Sequence, residues 1–236
     1  NVNSYGNKSD FNVTFPELLE KCAKVEGLER LRFTTSHPKD LSDDLIRVIK
    51  ENDNICNYFH LPMQSGSDKV LKDMNRKYNK EQYLEKARKL REEIPGIAIS
   101  TDIIVGYPTE TEEDFQETLD VCRKVGFDTA FTFKYSPRPK TRAAKLEPID
   151  EKIVQDRFDR LLDTLYPVFN EKNKEYVGKV VDVLLESESK NNKNVLTGRT
   201  DTFKLVHVEA DKKLIGQIVK VKITDNTSFT ISGHLV

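Results

Sequence analysis

Four short polar segments, each containing a proline, follow apolar runs that are typical of β-strands. They are TSHP (35–38), LPMQSGS (61–67), GYPTET (106–111) and YSPR (135–138). In parallel α/β folds, ligands bind at the carboxyl ends of the strands, because the loops at those ends meet on one face. Side chains with hydroxyl, amide and imidazole groups in such loops suit a polar ligand. The four segments together therefore predict one composite ligand pocket.

The strands before these segments alternate apolar and polar residues with a period of two. The predicted helices carry apolar stripes, so the apolar strand residues are expected to face the helices and the polar ones the centre of a barrel. The apolar set is Leu31, Phe33, Phe59, Leu61, Met63, Ile99, Ile103 and Val105, and the polar set is Arg32, His60, Gln64, Ser100 and Asp102. Buried polar groups need partners, so the polar set favours a pocket for a charged, hydroxyl-rich ligand. The alternative is a network paired with itself, for example Arg32 with Asp102.

The segments between the strands carry start signals for helices. Thr14 with Glu17 and Asn79 with Gln82 fit capping boxes, and the N-cap residues Ser42, Ser67 and Thr111 precede three further helices. Strands are predicted over 31–35, 58–61, 97–105 and 129–135. A long helical pattern starts at Asp150, and Pro167 is expected to kink or end it. The alternation of strands and helices predicts a parallel sheet or barrel of βαβ units.

After Gly178 the apolar period changes from helical to two. Val181, Val183 and Leu185 alternate with polar residues, and turn signals stand at 191–194 and 225–227. This pattern predicts a small antiparallel β domain of about sixty residues, a five-stranded barrel of OB-like type.

Composition limits the possible functions. The chain has 236 residues, a third of them charged, and a net charge of −1, so an RNA-binding surface would have to be a local patch. No apolar run approaches the roughly 20 residues that a membrane span needs, and the polar start does not read as a signal peptide. Cys22, Cys56 and Cys122 are far apart with no CxxC between them, which predicts a reducing compartment and no disulfide framework. His37 and His60 follow strands, and structural or substrate-orienting roles are favoured for both over metal binding.

Several motifs together resemble one protein family. HLPMQSGS (60–67) with MNRKY (74–78), DIIVGYPTETEEDF (102–115) and FTTSHPKD (33–40) resemble the radical SAM methylthiotransferases, in particular the branch that methylthiolates isopentenylated adenosine in tRNA. Thr109 stands where that family usually has glycine. GRT at 198–200 and SGHLV at 232–236 resemble a TRAM domain, the family's RNA-binding appendage.

The resemblance implies a fold, two domains and a set of site residues. The fold is α/β: a partial radical SAM (β/α) barrel over 1–170, followed by a TRAM barrel of OB-like type over 171–236. The implied S-adenosylmethionine site consists of Asn3, Ser36, His60, Gln64, Ser65, Asp102, Gly106, Pro108 and Tyr135. The expected RNA contacts are Arg76, Lys77, Arg138, Lys140, Arg199 and Lys204. No catalytic and no metal-binding residue is expected in this chain.

The same resemblance implies an activity and its partners. A methylthio group would be added to C2 of N6-dimethylallyladenosine next to the anticodon, with a tRNA anticodon stem-loop and a reductant protein as cytoplasmic partners and no membrane. The full-length enzyme would carry two 4Fe–4S clusters, neither ligated by this chain, because the family's CxxxCxxC is absent from it. The chain is therefore expected to be a fragment that starts mid-domain and is inactive alone. A methylthiotransferase for threonylcarbamoyl-adenosine tRNA or for a ribosomal protein, and a non-catalytic RNA-binding module, are the alternatives.

Overall fold

Three parallel strands form the sheet of the N-terminal part. The computed structural model describes residues 1–6, 12–34, 36–190, 192 and 194–236. In it, β1 (Tyr58–His60), β2 (Ala98–Val105) and β3 (Thr129–Lys134) lie side by side in that order. The parallel pairing confirms the α/β fold predicted from the alternation of strands and helices.

Six helices accompany the strands of the described part, and most begin at the predicted residues. Thr14 with Glu17, and Asn79 with Gln82, form reciprocal capping boxes. The hydroxyl groups of Ser42, Ser67 and Thr111 accept backbone N–H groups as N-caps. The helices are α1 (Phe15–Ala23), α2 (Asp43–Glu51), α3 (Asp68–Asp73), α4 (Lys80–Glu93), α5 (Glu112–Val125) and α6 (Glu151–Lys174).

The predicted strand phase is confirmed on both faces of the sheet. Phe59, Ile99 and Ile103 have no exposed surface and pack in one core with apolar residues of the helices. The Thr101 hydroxyl faces the same way, since it lies 3.4 Å from the hydroxyl of Tyr83 in α4. Successive strand residues point to opposite faces, so Ser100 lies on the face turned away from the helices.

One sequence prediction in this part is wrong, and one of two expected outcomes is excluded. Leu31 forms a single parallel bridge with Ile55, and no strand follows it over 32–34; Thr35 lies outside the described residues. The Tyr58 N–H bonds to the Cys56 carbonyl at 2.7 Å, so a tight turn separates the bridge from β1. The helix α6 does not end at Pro167, because it runs on to residue 174, and the kink at this proline stays a prediction.

Five strands after α6 close into a small barrel. The strands β4 (Val180–Glu188), β5 (Val195–Arg199), β6 (Leu205–Glu209), β7 (Ile218–Asn226) and β8 (Thr230–Leu235) are arranged in the order β4-β5-β6-β8-β7. This confirms the predicted five-stranded, OB-like barrel. One pairing corrects the prediction that it is antiparallel throughout, because β6 and β8 run parallel.

The barrel has its own apolar core, separate from that of the sheet. The division of the chain at residue 170 stays a prediction, and α6 crosses that point. Within the described residues, none of the helices is apolar over a length that would cross a bilayer.

Candidate functional site

Four side chains form a connected row on the face of the sheet turned away from the helices. The Tyr58 hydroxyl lies 2.6 Å from Ser100 Oγ, and Ser100 Oγ lies 2.8 Å from His60 Nδ1. The His60 Nε2 atom lies 3.5 Å from Asp102 Oδ2. The row runs from the start of β1 toward the carboxyl end of β2. It brings together His60 and Asp102, two of the residues predicted to bind the cofactor.

Gln64 continues this row by an unusual backbone conformation. Its φ of 69° lies in the left-handed region, which costs a non-glycine residue about 1–3 kcal/mol. The Gln64 N–H donates to the Asp102 carbonyl, and the Gln64 carbonyl accepts the Ile104 N–H, at 2.8 and 2.9 Å. The turn therefore fixes Gln64 beside the end of β2, as the sequence predicted.

Ser65 and Gly66 follow Gln64 and pack against Thr118 of helix α5. The Ser65 side chain is 1% exposed, and its hydroxyl lies 3.3 Å from Thr118 Oγ1. A Cβ on Gly66 would come within 2.6 Å of the Thr118 Cα, so only glycine allows this approach. The cofactor contact of Ser65 stays a prediction, and the contact that the structure shows is this packing against α5.

The loop after β2 is held by a buried acid that the sequence analysis did not single out. Glu110 Oε1 accepts the Gly106 N–H at 3.1 Å and the Arg157 guanidinium at 3.0 Å. Both charged side chains are about 5% exposed. Burial raises the pKa of Glu110, and the bonds from Gly106 and Arg157 oppose that shift. A glutamate four residues after a strand-end glycine was the available signal.

A second carboxylate, Asp114, joins the loops after β1 and β2. It accepts hydrogen bonds from the Ser67 hydroxyl at 2.6 Å, the Lys69 ammonium at 2.8 Å and the Thr111 N–H at 2.8 Å. Burial opposes ionisation of Asp114, but these donors outweigh it and lower its pKa to about 2. Asp114, the acid of the α5 capping box, thus also fixes the start of α3.

A cavity of about 850 Å³ opens at the carboxyl ends of β2 and β3. Its apolar wall includes Met74, Tyr107, Ala143 and Leu146, and its cationic rim consists of Lys72, Arg76, Arg138 and Arg142. Tyr135 contributes a hydroxyl that is buried without a hydrogen-bond partner, and Arg76 contributes an Nε in the same state. An orphaned donor beside a cavity is what a polar ligand satisfies.

Residues from both predicted sets, the cofactor contacts and the RNA contacts, line this cavity. Tyr135 of the cofactor set and Arg76 and Arg138 of the RNA set line it. Lys77 follows the lining residue Arg76, Lys140 precedes the lining residue Thr141, and both lysines are exposed. Gly106, with a φ of 80°, and Pro108 flank the lining residue Tyr107.

Asn3 and Ser36 form a separate pair. The Ser36 hydroxyl lies 3.5 Å from Asn3 Oδ1, and Asn3 Nδ2 is buried without a hydrogen-bond partner. Nearby, His37 Nδ1 accepts the Lys39 N–H at 3.2 Å. This contact matches the structural role favoured for His37.

Lys204, predicted to contact RNA, is buried between the sheet and the β barrel. It is 7% exposed, and its ammonium lies 3.3 Å from Asp128 Oδ1. Asp128 also accepts the Arg91 guanidinium and the Ile99 N–H, both at 3.0 Å. The ammonium of Lys204 is thus occupied by Asp128, and its contact with RNA stays a prediction.

The loop between β5 and β6 packs against the start of β1. The Phe203 ring lies 4.7 Å from the Tyr58 ring, and the Arg32 and Arg199 guanidinium groups lie 4.3 and 4.0 Å from its centroid. Arg32 also donates to the Thr200 carbonyl at 3.3 Å. Arg32, which was expected to face the pocket, and Arg199, which was predicted to bind RNA, thus join the two parts of the chain.

Comparison with known proteins identifies the family of this chain. Residues 1–122 match the family model of the Radical SAM superfamily, and residues 174–236 match that of the TRAM domain. The chain belongs to the radical SAM superfamily. The barrel of β4 to β8 lies within the TRAM match, and the parallel sheet lies mostly within the radical SAM match.

Curated relatives extend along the whole chain. It is 58% identical to the tRNA-2-methylthio-N(6)-dimethylallyladenosine synthase of Finegoldia magna and 52% identical to that of Clostridium tetani. Each alignment covers 100% of this chain but 51% and 52% of those relatives. The chain thus spans about half the length of the curated relatives it matches, and the resemblance to the methylthiotransferases is confirmed.

Among solved structures, coproporphyrinogen III oxidase from Escherichia coli, a radical SAM enzyme, overlaps with a TM-score of 0.49 at 15% identity. That overlap covers 70% of this chain and 45% of the oxidase. A likeness at this level adds nothing to the argument.

A radical SAM domain implies S-adenosylmethionine, and the residues present fit it. Asp102 and Gln64 offer a carboxylate and an amide, joined through their backbones next to Ile104 of the cavity wall, and the orphaned Tyr135 hydroxyl is a further donor. These groups suit the hydroxyl and amine functions of a nucleoside cofactor.

The described residues do not fit an iron–sulfur cluster. No group of three or more His, Cys, Asp or Glu side chains in the described ranges is arranged to hold a metal ion. Burial raises the pKa of the Cys56 thiol, and that of Cys122 to about 12, whereas iron–sulfur ligands are thiolates. We assign no part of cluster binding to these residues.

Proposed function

We propose that this chain is the cofactor-orienting and RNA-binding half of a methylthiotransferase that modifies C2 of N6-dimethylallyladenosine next to the tRNA anticodon. One observation carries the proposal: on a radical SAM sheet, a polar row runs toward the carboxyl end of β2, where a cavity lined by four cations opens. The named activity of relatives that are 52–58% identical over the whole chain supports it.

The cofactor would be held at the polar row. Asp102 and Gln64 would accept from and donate to its polar groups, and the Tyr135 hydroxyl would gain the partner that it lacks. When bound, S-adenosylmethionine would supply the methyl group and the radical chemistry. The work of this chain's residues is to bind and orient the cofactor and to exclude water.

The substrate base would enter the cavity. Its apolar wall, with Met74, Tyr107 and Leu146, suits a branched hydrocarbon such as the dimethylallyl group. The cations on the rim, among them Arg138 and Arg142, suit the phosphates on either side of an extruded base. The same arginines favour a second candidate, threonylcarbamoyl-adenosine, which carries a carboxylate.

The remaining partners follow from this activity. A tRNA anticodon stem-loop is the macromolecular substrate, and a reductant protein supplies electrons. Both place the protein in the cytoplasm.

Binding of modified RNA tests the proposed substrate. The chain would be titrated with anticodon stem-loops that carry dimethylallyladenosine, threonylcarbamoyl-adenosine or plain adenosine. Because the hydrocarbon is buried, the dimethylallyl stem-loop is expected to bind about tenfold more tightly than the plain one. Leu146→Ser should remove most of that preference. Val25→Ser, at another exposed apolar residue far along the chain, should leave it intact.

The other outcomes are equally informative. Equal affinity for all three stem-loops would contradict the proposed substrate. Preference for the threonylcarbamoyl stem-loop would support the second candidate instead.

A further inference from the structure

We propose that His60 is a positioning residue whose imidazole, held as the Nε2–H tautomer by Ser100 and Tyr58, orients the Asp102 carboxylate toward the open face of the sheet. This inference rests on the proposed function, in which Asp102 contacts S-adenosylmethionine. It adds a directed chain of hydrogen bonds that begins at the contact with the TRAM domain.

The direction of the chain is set at Tyr58. Its side chain is 3% exposed, and its hydroxyl lies 2.6 Å from Ser100 Oγ. Burial raises the pKa of Tyr58, and the bond with Ser100 opposes that shift without cancelling it. The phenol keeps its proton, and a buried hydroxyl proton needs an acceptor. Tyr58 therefore donates and Ser100 accepts.

Ser100 passes this direction on to the histidine. The serine hydroxyl carries one proton and has no exposed surface. Since its oxygen accepts from Tyr58, its proton goes to His60 Nδ1, 2.8 Å away. A ring nitrogen that accepts carries no proton, so the proton of a neutral imidazole is on Nε2.

The contact of the second ring nitrogen independently indicates that the proton is on Nε2. His60 Nε2 faces Asp102 Oδ2 at 3.5 Å. An N–H at this position attracts the carboxylate, whereas a lone pair would repel it. The edge of the ring also packs against Phe131, with 5.9 Å between centroids, which disfavours a ring flip.

The chain leaves Asp102 free to bind a ligand. Its side chain is 28% exposed, and a carboxylate has about four acceptor positions, of which His60 Nε2 faces one at 3.5 Å. The row is closed at its start by Phe203 of the β barrel, whose ring lies 4.7 Å from that of Tyr58. The TRAM domain thereby stabilises the first member of the chain without touching the ligand.

The tautomer can be read directly by nitrogen-15 NMR of the imidazole rings. His60 would be assigned by comparison with the His60→Gln variant, at about pH 8. Nε2 is expected to resonate as a protonated nitrogen and Nδ1 as a bare one. Ser100→Ala removes the donor to Nδ1 and should produce a mixture of tautomers. An Nδ1–H or doubly protonated ring in the wild type would overturn the proposal.

Calorimetric titration with S-adenosylmethionine tests the positioning role. His60→Leu removes the donor to Asp102 and should weaken binding about tenfold. His60→Gln keeps an N–H donor at that end and should stay within about threefold of the wild type. Equal losses in both variants, with equal thermal midpoints, would reduce His60 to packing and overturn the proposal. Absence of binding by the wild type would overturn the proposed function, while the tautomer spectrum would still decide the direction of the chain.

Discussion

Single carboxylates in this chain join segments that are far apart in sequence. Asp114 connects the start of α3 with the start of α5 through Ser67 and Thr111. Glu110 connects the Gly106 turn with α6 through Arg157. Both acids are buried, so their removal is expected to cost more than the loss of a surface ion pair.

Asp114→Asn is expected to destabilise the chain by about 2 kcal/mol at neutral pH. The folded-state pKa of about 2 is below the unfolded value of about 3.9. The carboxylate therefore stabilises the fold fully above that unfolded value, and the contribution is lost as the pH falls toward the folded value. Urea unfolding should show the gap between variant and wild type closing from about pH 4 downward. Glu113→Gln, at an exposed acid of the same helical turn, is the control, and a gap independent of pH would contradict the assignment.

Glu110→Gln keeps an acceptor for the Gly106 N–H but removes the charge beside Arg157. Because a buried guanidinium then loses its closest carboxylate, unfolding should be easier by about 3 kcal/mol. Arg160→Gln breaks an exposed pair with Glu112 and should cost less than about 1 kcal/mol. Denaturant titrations would measure both, and similar costs would show that the buried pair contributes nothing special.

At the scale of elements, the loop between β5 and β6 contacts the N-terminal part of the chain, and this contact could not be predicted from the sequence. Helix starts were predictable because capping is local: Thr14 and Glu17 are three residues apart and bond to each other. The strand phase was predictable because the side-chain period of a strand is two. Nothing local indicates that Lys204 reaches Asp128 across 76 residues.

The same distinction explains what the sequence left open within the candidate site. Ser65 stands among polar residues, which suggests a ligand contact, yet the hydroxyl that it packs against belongs to Thr118, 53 residues away. Arg32 alternates correctly with apolar neighbours, but the loop around Phe203 supplies its partners. The residue types were readable from the sequence, whereas their long-range partners were not.

Asp128 is the hub of this contact, so its replacement should cost more than that of its partner. Asp128→Asn leaves the buried Lys204 and the partly exposed Arg91 without a carboxylate and should destabilise the fold by about 3 kcal/mol. Lys204→Met leaves Asp128 paired with Arg91 and should cost about 1 kcal/mol. Urea unfolding of both single variants and of the double variant, which should cost less than the sum, measures this asymmetry. Equal destabilisation by the two single variants would contradict the central role of Asp128.

At the scale of the whole molecule, the cavity and the contact with the β barrel lie at opposite ends of the strands of the sheet. The cavity lies at the carboxyl ends of β2 and β3, while Tyr58 and Asp128, which contact the β barrel, stand at the amino ends of β1 and β3. The exposed arginines near the cavity, not those near the barrel contact, are then the ones expected to bind RNA.

Arg138→Glu is expected to weaken binding of an anticodon stem-loop about tenfold at low salt, because it replaces a phosphate partner with a repelling charge. The slope of log affinity against log salt should fall by about one. Arg123→Glu, at an exposed arginine in the last turn of α5, should leave both quantities unchanged. Fluorescence anisotropy at several salt concentrations would measure them, and equal effects of the two variants would exclude the cavity rim as the RNA surface.

An RNA that touches both the cavity and the β barrel must be long. The eight residues of β2 separate the two ends by about 25 Å, a distance that no single nucleoside covers. A free modified nucleoside would therefore engage the cavity alone and gain nothing from the barrel. A folded stem-loop is long enough to engage both, and the first contact would then raise the effective concentration of the second. Discrimination between a transfer RNA and the loose nucleosides of its breakdown then comes from the spacing of two modest binding surfaces, as in any bivalent binder.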